Sequence, residues 1–181
     1  RIRARVGGFG GRTVTFGMSS DAIVRATDVE ALGVDGMRAR VVTPAGERQL
    51  RTPLVGRGNL SNLLAATAVA LEFGSSLDDI VAAAAGLKAA DRRGVVVRLR
   101  EGVVMIDDSY NSSPTALARA FETVAADHTP ASRRVAVVGE MLELGGHALG
   151  LHREAGRRAA AVGLRLLFAV GGAPARALLI V

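Results

Sequence analysis

A change of hydrophobic period along the chain limits its folds more than any other feature. Up to about residue 55 apolar and polar residues alternate in short runs, Thr13-Val14-Thr15-Phe16, Ile23-Val24-Arg25-Ala26 and Met37-Arg38-Ala39-Arg40-Val41-Val42, between glycine-rich breaks. Period two sends successive side chains to opposite faces, so these runs predict half-buried antiparallel strands, with Pro44-Ala45-Gly46-Glu47 as a hairpin turn. From Asn59 the spacing becomes helical: Leu60, Leu63, Leu64, Thr67, Ala68 and Leu71 form one stripe that Gly74 ends. A second helix is expected after Ser76, whose hydroxyl can cap it, with Asp78 and Asp79 at its positive end and Ile80, Val81, Ala84 and Leu87 on one face.

Residues 88–94 are short and charged and lie between periodic elements, which makes them a linker between domains at 1–90 and 91–181. Beyond it strands are expected at 95–99 and 103–106 around the turn Arg100-Glu101-Gly102, then at 135–138 and 166–170. Helices are expected from Ser113-Pro114, from about His147 to Val162, and near Ala173. Strands apolar on both faces and separated by helices imply an α/β class with a parallel sheet covered on both sides. In such sheets ligands lie beyond the carboxyl ends of the strands. Three clusters fall there: residues 107–111, Gly139-Glu140 and Gly171-Gly172.

Composition narrows the function classes. With no Cys among 181 residues, disulfides and thiolate metal sites are excluded, and a reducing cytoplasm is the expected compartment. No apolar stretch reaches the ~18 residues of a membrane span, so no membrane insertion is expected. A net charge of +6 raises nucleic acid as a partner. The arginines are scattered over strands, turns and helix faces, however, and Lys88 is the one lysine, so solvated surface charge is the expected role and no nucleic acid partner is expected. A basic anion- or nucleic-acid-binding module stays as the alternative from another class. The opening Arg1-Ile2-Arg3-Ala4-Arg5-Val6 reads as a strand already under way, hence the expectation that the chain is a piece of a longer protein.

Three strings in order carry the chemistry: Asp107-Asp108-Ser109-Tyr110-Asn111-Ser112-Ser113-Pro114, then Gly139-Glu140-Met141-Leu142-Glu143-Leu144-Gly145, then His152-Arg153-Glu154. Upstream stands Gly56-Arg57-Gly58-Asn59-Leu60-Ser61-Asn62. Together they resemble the Mur ligase family from about Val14 onward, most nearly its D-alanyl-D-alanine-adding branch. Three positions depart from the family pattern: Gly58 for a usual His, Ser113 for a frequent Asn, and Glu140 for a usual Asp. The last keeps the carboxylate and lengthens its reach by one methylene.

The resemblance implies the end of a mixed-sheet central ATPase domain followed by a Rossmann-like parallel α/β domain. It implies ATP and Mg2+ as cofactors, UDP-N-acetylmuramoyl-tripeptide and D-alanyl-D-alanine as partners, and a monomer. Asp108 would accept hydrogen bonds from the ribose hydroxyls, Asn59 and Asn62 would contact the adenine, and Arg93 would reach the phosphates with its planar fork. Tyr110 and Asn111 would flank the nucleotide. Each has a plainer alternative: Asp108 as a turn or capping residue, Asn59 as a helix cap, Arg93 as a solvated cation, Asn111 as ordinary turn chemistry. His152 sits inside a helical pattern and reads as a structural histidine rather than a base. Glu140 and Glu143 could line a pocket for the dipeptide ammonium or simply face solvent. The chain has no G-x-x-x-x-G-K-[ST] string to cradle a transferring phosphate, so no catalytic residue is assigned within it and the metal ligands are expected elsewhere. Another family member, or a folylpolyglutamate-synthase-like ligase, is the alternative within the enzyme class.

Overall fold

Alternation in the first half produces a four-stranded sheet with one buried face. The computed structural model describes residues 7–180 and orders the sheet β1 (Phe16–Gly17), β2 (Val24–Ala31), β3 (Met37–Thr43) and β4 (Gly46–Thr52). The run expected at residues 1–6 lies outside the described residues. β2, β3 and β4 are antiparallel, but β1 is parallel to β2, with Phe16 opposite Val24. This corrects the all-antiparallel expectation. The intervening residues carry the chain back to the start of β2, where the N–H groups of Ile23 and Val24 bond Thr15 Oγ1 (3.1 Å) and Thr15 O (2.9 Å).

Met37, Ala39, Val41 and Thr43 of β3 point to one side with Val24, Ala26, Leu50 and Thr52, and all are buried. On the other side Arg40 pairs with Asp28 and Glu47, and Arg38 with Glu30, while Arg48, opposite Val41 at the rim of the buried face, pairs with Asp78. These arginines are thus solvated, paired charges, as the scattered pattern suggested. Exposed pairs of this kind contribute little, whereas a buried leucine contributes about 1.5 to 3 kcal/mol, so the apolar face holds this half together.

That face is covered by α1 (Gly56–Glu72), through Leu60, Leu63, Leu64, Thr67 and Ala68. Thr67 satisfies its buried hydroxyl by donating to Leu63 O at 2.9 Å. α2 (Leu77–Ala85) is capped as expected, Ser76 Oγ accepting from Asp79 N–H at 3.1 Å. Leu77 and Ala84 complete the first core. Leu87 falls beyond the end of α2 and is exposed, contrary to the expected face.

The second half comprises β5 (Val95–Arg98), β6 (Val104–Asp107), α3 (Pro114–Ala126), β7 (Val135–Gly139), α4 (Ala148–Ala161), β8 (Leu166–Val170) and α5 (Ala173–Arg176). β7 and β8 are parallel and joined by α4. β5 and β6 form a separate antiparallel hairpin, so Asp108 does not extend the same parallel ladder as Gly139 and Gly171. The connection at Arg100–Gly102 is too short for a crossover, and Glu101 and Gly102, at φ 60° and 71°, reverse the chain there.

Ala136, Val138, Leu167 and Ala169 pack against Leu117 and Phe121 of α3, Ala155 and Ala159 of α4, and Leu178, making a second core. Val135, Val137, Leu166, Phe168 and Val170, on the opposite face, are each 47–71% exposed. Cover on both sides was expected; the described residues supply it on one. α4 meets the turn Ala177–Leu179 closely at Gly156, where a Cβ would overlap the Leu178 carbonyl.

Candidate functional site

The linker is a built turn. Arg93 N–H bonds Ala90 O at 3.0 Å, Arg92 and Gly94 take positive φ of 54° and 71°, and Arg92 O accepts from Tyr110 N–H at 3.1 Å. Tying the linker to the segment after β6 sets the Arg93 guanidinium over the Tyr110 ring, 4.0 Å from its centroid. Stacking of this kind leaves the planar cation and one ring face available together at a surface.

Asp108 lies in the same crook. The residue as a whole is exposed, but local enclosure of its carboxyl raises it above the usual carboxylate range. The Gly94 N–H and the Arg93 guanidinium pull it down, and Asp107 adds a small push upward. Asp107 has the turn role instead: its Oδ1 accepts from Ser109 N–H at 3.1 Å, and the bonds from Ser109 hold it below the usual range. Asp108 is not a helix cap, since Ser113 fills that position for α3, accepting from Ala116 N–H at 3.2 Å with Pro114 opening the helix.

Asn59 is likewise not the cap of α1, which starts at Gly56 with Val55 in the cap position. Its Nδ2 donates to Val55 O at 2.9 Å. Gly94 passes directly over it, because a Cβ there would lie 3.7 Å from Asn59 Nδ2 and 3.5 Å from Val55 Cγ2. Residues 92–94 therefore gather Asn59, Arg93, Asp108 and Tyr110 at the crease between the two cores. Asn62 is exposed one turn further along α1, and Asn111 directs Oδ1 to Ser112 N–H at 2.8 Å. Gly94 was not singled out from the sequence; the triplet Arg92-Arg93-Gly94 was its one visible trace.

The other strand ends are tied to each other. Glu140 Oε2 accepts from Gly172 N–H at 2.7 Å, while Glu140 N–H donates to Val170 O at 3.0 Å. The additional methylene of Glu140 is used to bridge two loops. His152 is fully buried, its Nε2 accepting from Met141 N–H (3.0 Å) and its Nδ1–H donating to Ala148 O (2.7 Å). An Nε2 that accepts carries no proton, and both ring nitrogens are engaged, so the histidine anchors the 140–144 loop. At Gly58 the space beside Cα is taken by Arg119 of α3, whose Cδ would lie 3.5 Å from a Cβ. Among the described residues no group of three His, Asp or Glu side chains gathers to hold a metal ion.

Both halves have known counterparts. Residues 1–70 match the Mur ligase middle domain, and residues 92–179 match the Mur ligase, glutamate ligase domain. The UDP-N-acetylmuramoyl-tripeptide--D-alanyl-D-alanine ligase of Escherichia coli (strain K12) is 37% identical over 136 residues, 75% of this chain and 29% of that protein. The ligase of the same name from Synechocystis is 31% identical over 166 residues, 91% of this chain and 33% of that one. The chain thus spans about a third of the length of these relatives. Among solved structures, MurF from Acinetobacter baumannii superposes with a TM-score of 0.83 at 31% identity, covering 92% of this chain and 35% of that one. The MurF ligase of Thermotoga maritima, in complex with ADP, gives 0.83 at 25% identity over 98% of this chain and 39% of its own. Two family domains in the expected order, over cores that fold like those of their relatives, make this chain a member of the Mur ligase family.

Proposed function

We propose that the chain is the part of an ATP-dependent amide ligase that closes on the nucleotide, in an enzyme joining D-alanyl-D-alanine to UDP-N-acetylmuramoyl-tripeptide. The observation that carries this reading is the gathering of Asn59, Arg93, Asp108 and Tyr110 around residues 92–94. The D-alanyl-D-alanine-adding names of the relatives and the ADP bound to one of them support it. The domain division is set at 90/91, supported by the two separate cores.

ATP supplies the phosphoryl group that activates the tripeptide carboxylate for attack by the dipeptide amine. In this chain the Asp108 carboxylate accepts from the ribose hydroxyls, and the Asn59 and Asn62 amides offer a donor and an acceptor to the adenine edge. Arg93 contributes a permanent cation toward the phosphates, while Tyr110 and Asn111 flank the nucleotide. Lys88 is the sole lysine and no phosphate-cradling loop is present, so the γ-phosphate and Mg2+ are held by residues outside this sequence. The protein works as a cytoplasmic monomer without nucleic acid or membrane partners. No helix among the described residues is long and apolar enough to cross a membrane.

Tyr110 is the one tyrosine and tryptophan is absent, so intrinsic fluorescence reports on this site alone. ADP titrated to about 1 mM, the upper end of ordinary KM values, is expected to change Tyr110 emission saturably, whereas duplex DNA is not. A saturable response to DNA and none to ADP would refute the nucleotide reading in favour of a basic binding module. The chain alone is expected to release no phosphate from ATP, D-alanyl-D-alanine and the muramoyl tripeptide. Release clearly above background from contaminant-free protein defeats the assignment of phosphoryl transfer to residues outside it.

A further inference from the structure

Beyond the linker the two halves meet along α1 and α3, where Thr123 stands against Gly56 and Arg119 beside Gly58, and again at one short turn at the far end of α3. This 3-10 turn, Gly33–Asp35, is closed by Leu32 N–H on Gly36 O (3.0 Å) and Asp35 N–H on Leu32 O (3.1 Å). Gly36, at φ 104°, presses so closely on Thr52 and Pro53 that a side chain has no room there. Onto this turn comes Asp127, just past the end of α3, whose Oδ2 accepts from Val34 N–H at 3.2 Å. Its Oδ1 accepts from Thr129 N–H (2.9 Å) and Thr129 Oγ1 (2.5 Å). Gly33 lies so close that a Cβ on it would overlap Asp127 Oδ2. Arg98, the last residue of β5, donates to Asp35 Oδ1 at 2.6 Å.

Asp127 is braced from its own side. The Arg134 guanidinium donates to Thr129 O (2.9 Å), Asp127 O (3.1 Å) and Val162 O (3.5 Å), fixing the loop that carries the carboxylate. The Thr129 hydroxyl foremost, with the N–H groups of Thr129 and Val34, holds that carboxyl below the usual range against the effect of burial. The Arg98–Asp35 pair is more than half exposed on both sides and is the weaker contact. A charged acceptor meeting a partly buried backbone N–H is the stronger one.

Two stiff elements separate this contact from the nucleotide cluster. β5 runs from beside Gly94 to Arg98, about 13 Å at strand rise. α3 begins three residues after Asn111 and ends at Ala126, just before Asp127, about 20 Å at helix rise. With α3 already lying on α1, a further attachment at the far end of α3 holds the second domain in one arrangement about the linker.

We propose that Asp127, with the Arg98–Asp35 pair, clamps the second domain to the turn at 33–35 and so positions Asp108 and Arg93 over Asn59. The clamp stands on contacts alone, while its kinetic consequence rests on the functional reading above. Since the chain has no cysteine, Gln49→Cys and Ala160→Cys place one spin label on an exposed position of each domain. Pulsed dipolar spectroscopy is expected to give one narrow distance for the parent and a clearly broadened or doubled one for Asp127→Ala/Arg98→Ala. Asp35→Arg, a surface change that sets two cations together, is expected to broaden it as well and decides the matter if the first variant does not fold. Unchanged distances in folded variants overturn the clamp. In the complete ligase Asp127→Ala is expected to raise KM for ATP about tenfold, the scale of one lost charge-assisted bond, with little change in KM for the dipeptide. Broadened distances with ATP kinetics unaltered overturn the positioning role. A parent ligase that consumes no ATP with these substrates removes the functional reading and leaves the clamp to the distance measurement.

Discussion

Asp108→Ala in the complete ligase is expected to lower kcat/KM for ATP about ten- to hundredfold while leaving the fold and the tripeptide affinity nearly unchanged. Bonds from ribose hydroxyls to a carboxylate are charge-assisted, and losing such an acceptor costs roughly 1.5 to 3 kcal/mol, which sets the range. This side chain caps no helix, because Ser113 serves α3 and Asp107 serves the turn, although its carboxylate does accept from the Gly94 N–H of the linker. Arg93→Ala is expected to act more on kcat, since a phosphate contact matters most where charge develops on the transferring group. Local enclosure raises the Asp108 carboxyl, so its acceptor form is lost, as pH falls, earlier than that of a free aspartate. The acid limb of kcat/KM for ATP is therefore expected above the ordinary aspartate range and absent in Asp108→Asn. Steady-state kinetics with ATP and dipeptide varied independently check this; wild-type ATP kinetics in Asp108→Ala defeat the ribose assignment.

Two glycines on one helix are expected to respond with opposite sign to the same substitution. Gly150 of α4 is exposed, and a Cβ there meets nothing within 4 Å, so Gly150→Ala should stabilise by about 0.5 to 1 kcal/mol through backbone entropy and helix propensity. At Gly156 the same propensity gain is offset by collision with the backbone of Leu178, a fully buried residue that cannot retreat without opening the second core. Gly156→Ala should therefore destabilise by about 1 to 3 kcal/mol net, as overpacked sites do. Urea unfolding followed by circular dichroism reads both changes, and stabilisation by both variants would show that α4 does not press on residues 177–179.

What the sequence disclosed was local. The stripe of α1 and the Ser76 and Ser113 caps depend on residues within a turn or two of each other, and all three appear where spacing put them. Alternation marks strands but not their direction or sheet, so the parallel pairing of β1 with β2, and the separation of the β5–β6 hairpin from β7 and β8, were not visible in it. The extension of β2 to Ala31 was hidden for a related reason: Asp28 takes a φ of 49° and shifts the register, breaking the pattern while the strand continues. At the candidate site the motifs named the residues, but Arg93 over Tyr110 requires a left-handed Arg92, which composition does not announce. The contact of Asp127 with Val34 spans 93 residues and involves a backbone N–H, a donor every non-proline residue carries.

The bonding of His152 gives the second domain its own magnetic reporter. Free imidazole favours the proton on Nε2, whereas here the proton sits on Nδ1 and Nε2 receives one from the backbone. The ring 15N resonances of His152 are thus interchanged relative to an ordinary neutral histidine, and its buried Nδ1–H exchanges slowly with water. His128 and His147 are exposed and exchange quickly, which leaves one slow imidazole line in the spectrum. That line follows the packing of α4 on the 140–144 loop directly, with no substrate, label or turnover required.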